Sequence, residues 1–138
     1  MADFAQLRDA AAVAARQAYA PYSGLRVGAA LRSTSGRVHC GCNVENGALP
    51  VGGCAERAAI AAAVMAEGPG FRLAAIAVVA FQGEGEGSAL PVPPCGACRQ
   101  VLVEFGADAD VGFLAPDGHW TVITADALLP HRFVLPER

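Results

Sequence analysis

The chain has 138 residues, 54% apolar and 17% charged, with a net charge of −3 and five cysteines. Such a composition excludes a disordered chain and argues against a polynucleotide-binding surface, which carries a basic excess. No apolar run approaches the roughly 20 residues that cross a bilayer, and "MADFAQLRDA" is charged where a secretory signal needs an apolar core, so the expectation is a cytoplasmic protein without a membrane partner.

Residues 3–19 set Phe4, Leu7, Ala11, Ala14 and Ala18 at helical spacing among strong helix formers, which predicts a first helix. "APYSG" reads as a turn. "LRVGAALRS" (25–33) and "VHCGCNV" (38–44) flank "TSGR" and predict a hairpin. "ENGALPVGG" is a loop. "CAERAAIAAAVMAE" (54–67) predicts a helix stopped by Gly68 and Pro69. "RLAAIAVVAF" (72–81) is an apolar, β-branched run of strand length. "QGEGEGSALPVPP" is a flexible loop, and "CGACRQVLVEFG" (95–106) a helix opened by prolines and closed by Gly106. "DVGFLAP" and "HWTVIT" flank "DG" as two short strands, and "TADALLP" predicts a last helix with a threonine cap. Helices and strands interleave, so the expected architecture is an α/β sandwich with helices on the faces of one sheet. With no repeat and no long linker, residues 1–138 read as a single domain.

An odd number of cysteines without an export signal points to metal ligands, catalytic thiols or buried small side chains rather than disulfides. Cys95 and Cys98 form C-x-x-C, which by itself suits a redox pair, a structural zinc site or part of a catalytic one. Cys40 and Cys42 share one face of a strand and read as buried free thiols. Cys54 opens one predicted helix, and Cys95 and Cys98 open another. Helix starts offer free N–H groups and partial positive charge, both of which favour thiolate, the form that binds metal. Three thiolates with an open fourth position would make a catalytic zinc. Glu56 then stands where a general acid/base would reach that position. Three thiolates on a dication leave an excess of negative charge, which a guanidinium donating to sulfur would offset. Arg57 is assigned that role; Arg99 suits it or a solvated salt bridge. His39, His119 and His131 read as surface or strand residues outside the metal site.

"CNVENGALPVGGCAERAAI" with "PPCGACRQVLVEF" resembles the cytidine deaminase family in its short, three-cysteine form, and "YAPYSGLRVGAAL" and "ADALLPHRF" extend the resemblance over most of the chain. The pairing of C-A-E with P-C-x-x-C carries it, and the glutamate's role as proton carrier belongs to that signature. The resemblance implies a three-layer α/β/α sandwich around one mixed five-stranded sheet. It implies Zn2+ held by Cys54, Cys95 and Cys98, with Glu56 as catalytic residue. Asn43 and Glu45 would hold ribose hydroxyls, and the backbone at Ala55 the base edge. The implied reaction is hydrolytic deamination of cytidine or 2′-deoxycytidine, in pyrimidine salvage, by a homotetramer that acts on a free nucleoside and not on nucleic acid.

Two positions depart from the family pattern. Leu25 stands where relatives usually carry phenylalanine, and Leu49 where they often carry a tyrosine that reaches a neighbouring subunit's site. A deaminase of a modified or blasticidin-like aminated pyrimidine nucleoside is therefore the alternative expectation. Phe133 matches a carboxy-terminal aromatic that lines a partner's pocket in relatives, and packing of the last segment explains it equally well.

Overall fold

Helix α1 (Phe4–Ala15) turns Phe4, Leu7, Ala11 and Ala15 inward and seats them on a five-stranded sheet. The structure is a computed structural model describing residues 4–85 and 87–137; Asp3 of the first predicted helix and Glu86 of the predicted loop lie outside them. The helix stops short of the predicted residue 19. Arg16 N–H and Gln17 N–H close onto Val13 and Ala14, three residues back, and Tyr19 N–H leaves to bond the Asn43 carbonyl at 3.1 Å. A tertiary contact thus ends a helix that local propensity would continue.

The strands are β1 (Leu25–Ser33), β2 (Val38–Cys42), β3 (Leu73–Gln82), β4 (Asp110–Leu114) and β5 (Trp120–Thr124). Their order across the sheet is β2-β1-β3-β4-β5. β3 and β4 pair in parallel and every other neighbouring pair is antiparallel, so the sheet is mixed. Helices α2 (Ala55–Glu67) and α3 (Gly96–Phe105) join the strands. The period-two pattern of β1 explains the layers. Val27, Ala29 and Leu31 face the core that holds Ile60 of α2 and Leu102 of α3, whereas Ala30 faces α1 with Leu7, Ala75 and Ala77. This is the expected three-layer α/β/α sandwich. Among the described residues no helix is long and apolar enough to cross a membrane.

Two glycines set the distance between layers. A Cβ on Gly28 would fall on the backbone of α1 at Ala11, and one on Gly41 on the backbone of α2 at Ala59 and Ala55. Both helices therefore sit against the strands without a side chain between. Because Gly41 turns toward α2, Cys40 and Cys42 turn away from it. Cys40 is exposed and Cys42 half-buried, which corrects the expectation of buried thiols. Strand β2 lies at the sheet edge and its outer face has little cover; what burial there is pushes both thiols up from their ordinary pKa.

The predicted helix over 124–130 does not form. Thr124 Oγ donates to Asp126 Oδ1 at 2.7 Å, Leu128 N–H bonds the Thr124 carbonyl, and the chain stays a series of turns up to Pro130. A segment this short, ended by proline, cannot offset the cost of nucleating a helix. Beyond it, Phe133, Val134 and Leu135 lie 66–70% exposed.

At the far end of α2, Glu67 accepts from Ser33 Oγ at 2.8 Å and pairs with His39 Nε2 at 2.6 Å. The His39 contact, with Ser33 and Ser35 assisting, holds the Glu67 carboxyl below its usual range. A carboxyl lowered on folding stabilises the fold above its unfolded pKa of about 4.3, and that contribution disappears as pH falls through the lowered folded value. Glu67→Gln is expected to lower the urea midpoint at pH 7. Its difference from the parent should narrow as pH falls below about 4.3 and close once pH has passed the lowered folded value; a difference that does not narrow would refute the ionic contribution.

Candidate active site

Cys54 and Cys95 are the cap residues of α2 and α3, in extended conformation directly before Ala55 and Gly96, and neither caps its helix with its side chain. Gly53 and Val44 exchange backbone hydrogen bonds of 2.8 and 3.0 Å, which fixes the approach to Cys54. Cys98, on the first turn of α3, is buried. The sulfurs of Cys54 and Cys95 are 4.0 Å apart, and those of all three cysteines lie within 4.8 Å of one another. Tetrahedral zinc with ligands at about 2.3 Å requires sulfurs about 3.8 Å apart, so the cluster fits the ion.

The chemistry of the donors agrees. Burial first, then Glu56 and Cys54, push the Cys98 thiol far up. Burial also raises Cys95, but hydrogen bonds from the Cys98 backbone and from the Cys98 and Cys54 side chains outweigh it and bring Cys95 down. Without a cation, three thiolates cannot coexist here; a dication deprotonates coordinating thiols outright. Arg57 Nη2 donates to Cys54 Sγ at 3.3 Å, and that contact holds the guanidinium charged. Arg57 Nε is buried and without a hydrogen-bond partner among the described residues. Among the described residues Arg99 makes no hydrogen bond to sulfur. It donates to the Pro94 carbonyl at 2.7 Å and the Leu128 carbonyl at 3.1 Å.

Glu56 lies on the first turn of α2 and is only 4% exposed. Burial pushes its carboxyl up, against its own backbone N–H, Cys98 and Arg57, which lower it. A desolvated carboxyl raised in this way is suited to carry a proton near neutral pH.

The carboxyl and the Cys54 and Cys95 thiols line a cleft of about 290 Å³. Leu25, Asn43, Glu45 and Ala55 line it as well, and Phe133 of this chain does not. Its apolar wall is Leu25, Val27, Val44, Leu49, Val92 and Pro93, with no aromatic ring among the described lining residues. A separate cavity of about 340 Å³ lies on the α1 face beside Arg8, Val79 and Trp120, away from the thiols.

The resemblance assigns Asn43 and Glu45 to ribose hydroxyls; within the chain both also hold groups of the protein. Asn43 Oδ1 accepts Val27 N–H at 2.7 Å and its Nδ2 donates to the Leu25 carbonyl at 2.8 Å, clamping the start of β1. Glu45 Oε1 accepts the N–H groups of Tyr22 and Ser23 at 3.0 and 3.1 Å, and Oε2 accepts the Ser23 hydroxyl. The Ser23 hydroxyl foremost, with both N–H groups, holds the Glu45 carboxyl below its usual range. Ser23 was overlooked because "APYSG" reads locally as a turn; the bridge of Tyr19 with Val44 and the bond of Glu45 N–H to the Tyr19 carbonyl bring it to Glu45.

The comparisons with known proteins converge. The family model of the cytidine and deoxycytidylate deaminase zinc-binding region matches residues 2–114. Cytidine deaminase of Sporosarcina psychrophila is 50% identical over 92 residues, which cover 67% of this chain and 62% of that protein. Cytidine deaminase of Halalkalibacterium halodurans is 44% identical over 125 residues, 88% of each. The crystal structure of cytidine deaminase from Mycobacterium tuberculosis superimposes with a TM-score of 0.82 at 40% identity, over 98% of this chain and 100% of that one.

Proposed function

This chain belongs to the cytidine and deoxycytidylate deaminase zinc-binding family, and from that membership we propose that it hydrolyses the C4 amino group of cytidine or 2′-deoxycytidine. Water adds at C4 and ammonia leaves, giving the uracil nucleoside. The observation that carries the reading is the buried Glu56 carboxyl in one cleft with a zinc-sized group of thiols. Cys54, Cys95 and Cys98 would hold the ion. When bound, zinc supplies a nucleophile at neutral pH by lowering the pKa of water toward 7. Glu56 takes one proton of the attacking water and delivers it to ring N3, then takes the proton of the resulting C4 hydroxyl and passes it to the departing nitrogen as the C4 carbonyl forms. Arg57, bonded to the Cys54 sulfur, offsets the surplus negative charge. The backbone at Ala55 meets the base edge. Glu45 accepts from a ribose hydroxyl, and Asn43, whose Oδ1 is engaged by Val27, has one N–H left to offer.

Residues 1–138 act as one deaminase domain in the cytoplasm, as a homotetramer in pyrimidine salvage, on a free nucleoside. Support for assembly comes from exposed apolar side chains at the cleft mouth and tail: Leu49 is 72% exposed, Val51 69% and Phe133 68%. Neighbouring copies would cover them.

The aliphatic wall favours a second reading, a modified aminated pyrimidine nucleoside as preferred substrate, because no ring is there to stack on the base. An ultraviolet assay of a nucleoside panel, with zinc measured on the same sample, separates the two; ordinary turnover of cytidine dismisses the second, and no turnover of any nucleoside by zinc-loaded protein dismisses both. Under the first reading Leu25→Phe restores the stacking surface. It should lower KM for cytidine roughly 2- to 12-fold, from about 0.5–1.5 kcal/mol of ring contact, with kcat nearly unchanged. An unchanged KM would place Leu25 away from the base.

A further inference from the structure

The three thiols are not held equally. Cys98 is buried and Cys54 half-buried, but Cys95 is exposed. The chain that delivers Cys95 packs by its side chains, Pro94 being fully buried, but has few backbone donors. Leu90 N–H bonds the Ala80 carbonyl, and of the next four residues Pro91, Pro93 and Pro94 have no N–H to donate, leaving that of Val92. Backbone hydrogen bonding can fix such a segment only weakly from its donor side, so beyond side-chain packing the polar hold falls to its carbonyls.

Arg99 takes those carbonyls. Its backbone N–H bonds the Cys95 carbonyl at 2.9 Å, and its Nε bonds the carbonyl of Pro94, the preceding residue, at 2.7 Å. One residue thus grips the peptide groups on both sides of the Cys95 Cα. The other arm of the guanidinium, Nη1, bonds the Leu128 carbonyl at 3.1 Å in the turns that follow β5. Those turns are fastened in their own right, since Ala125 N–H and Asp126 N–H bond the carbonyls of Ala109 and Ala107. A planar guanidinium spans two carbonyls in fixed directions; a lysine ammonium at the end of a flexible stem does not.

We infer that Arg99 is a positioning residue that sets Cys95 at the metal site and ties the hold on the ion to the turns at 125–129. This rests on the zinc reading of the site. Arg57 and Arg99 then divide the work: Arg57 touches sulfur, and Arg99 fixes the backbone that carries one.

The test compares Arg99→Lys and Arg99→Met with the parent, each loaded with zinc and then competed with a chromogenic chelator. Folding is followed by circular dichroism. Removing such a support should weaken zinc affinity about 10- to 100-fold, while helix content stays that of the parent. Cobalt(II) gives a second readout independent of turnover: thiolate-to-metal charge-transfer absorption should lose intensity corresponding to one sulfur in Arg99→Met. Arg99→Lys should fall between Met and the parent, since it can reach one carbonyl but not both. If folded Arg99→Lys and Arg99→Met hold zinc as tightly as the parent with unchanged cobalt spectra, or if either unfolds with its zinc affinity intact up to the transition, the inference is overturned. If the parent itself takes up no zinc, it is the reading of the site that fails.

Discussion

Glu56→Gln should leave the fold and the zinc in place and remove nearly all turnover, a loss of at least about 10²–10⁴ in kcat. The amide is close to isosteric with the carboxyl, so the first turn of α2 and the buried contacts around it survive. What disappears is a group that can both accept and release a proton. Burial that raises the carboxyl brings its proton affinity toward the working pH, and an amide has none to tune. KM should change far less than kcat, because the missing proton transfers belong to the transition state. The measurement is steady-state kinetics on zinc-quantified protein. Turnover within tenfold of the parent would remove Glu56 from the mechanism.

Cys54→Ala should lose the metal itself. Two thiols remain, both at the start of α3, and the bridge between the starts of α2 and α3 is gone. Arg57 Nη2 loses the sulfur it bonds. Zinc content should fall to background after dialysis, and activity with it. Stability should follow, since an ion that binds only the folded chain stabilises by about 2.7 kcal/mol when free ion is 100 times its dissociation constant. For a domain of this size that is on the order of 10 °C in Tm. Cys40→Ala, on the outer face of β2, serves as the control and should keep zinc, activity and Tm. Stoichiometric zinc in Cys54→Ala would overturn the ligand assignment.

How much of this was legible in the sequence depended on whether a signal was local. The alternation of "LRVGAALRS" located β1 at Leu25–Ser33, and the glycine after "AVMAE" closed α2 at Glu67. The same local reasoning failed at 124–130, where a threonine cap and a run of helix formers had too few residues before Pro130 to repay nucleation. It ran α1 on to residue 19 because nothing in "RQAYA" reveals that Tyr19 will bond Asn43, 24 positions away. The zinc cluster was legible through its motif, not through geometry, since two helix starts 41 residues apart meet only in the fold. The supporting contacts were not: Ser23 with Glu45 and Arg99 with Leu128 are long-range bonds, and Arg99 with Pro94 a local one that no motif marks, all to ordinary turn or backbone groups. The exposure of Cys40 followed from its place on the sheet edge, which strand order decides and composition does not.

If Glu45 meets the ribose as proposed, the three donors gathered on it bear on which sugars the cleft can tell apart. A buried carboxylate that relies on its ligand for partners punishes any ligand lacking the matching hydroxyl, because a charge is then stranded. Glu45 is in the opposite situation: its own chain already neutralises most of its appetite for hydrogen bonds. A pentose with one hydroxyl removed leaves behind an anion that is still solvated by protein. Ribo- and deoxyribonucleosides would then be nearly interchangeable here, and discrimination falls to the walls around the base.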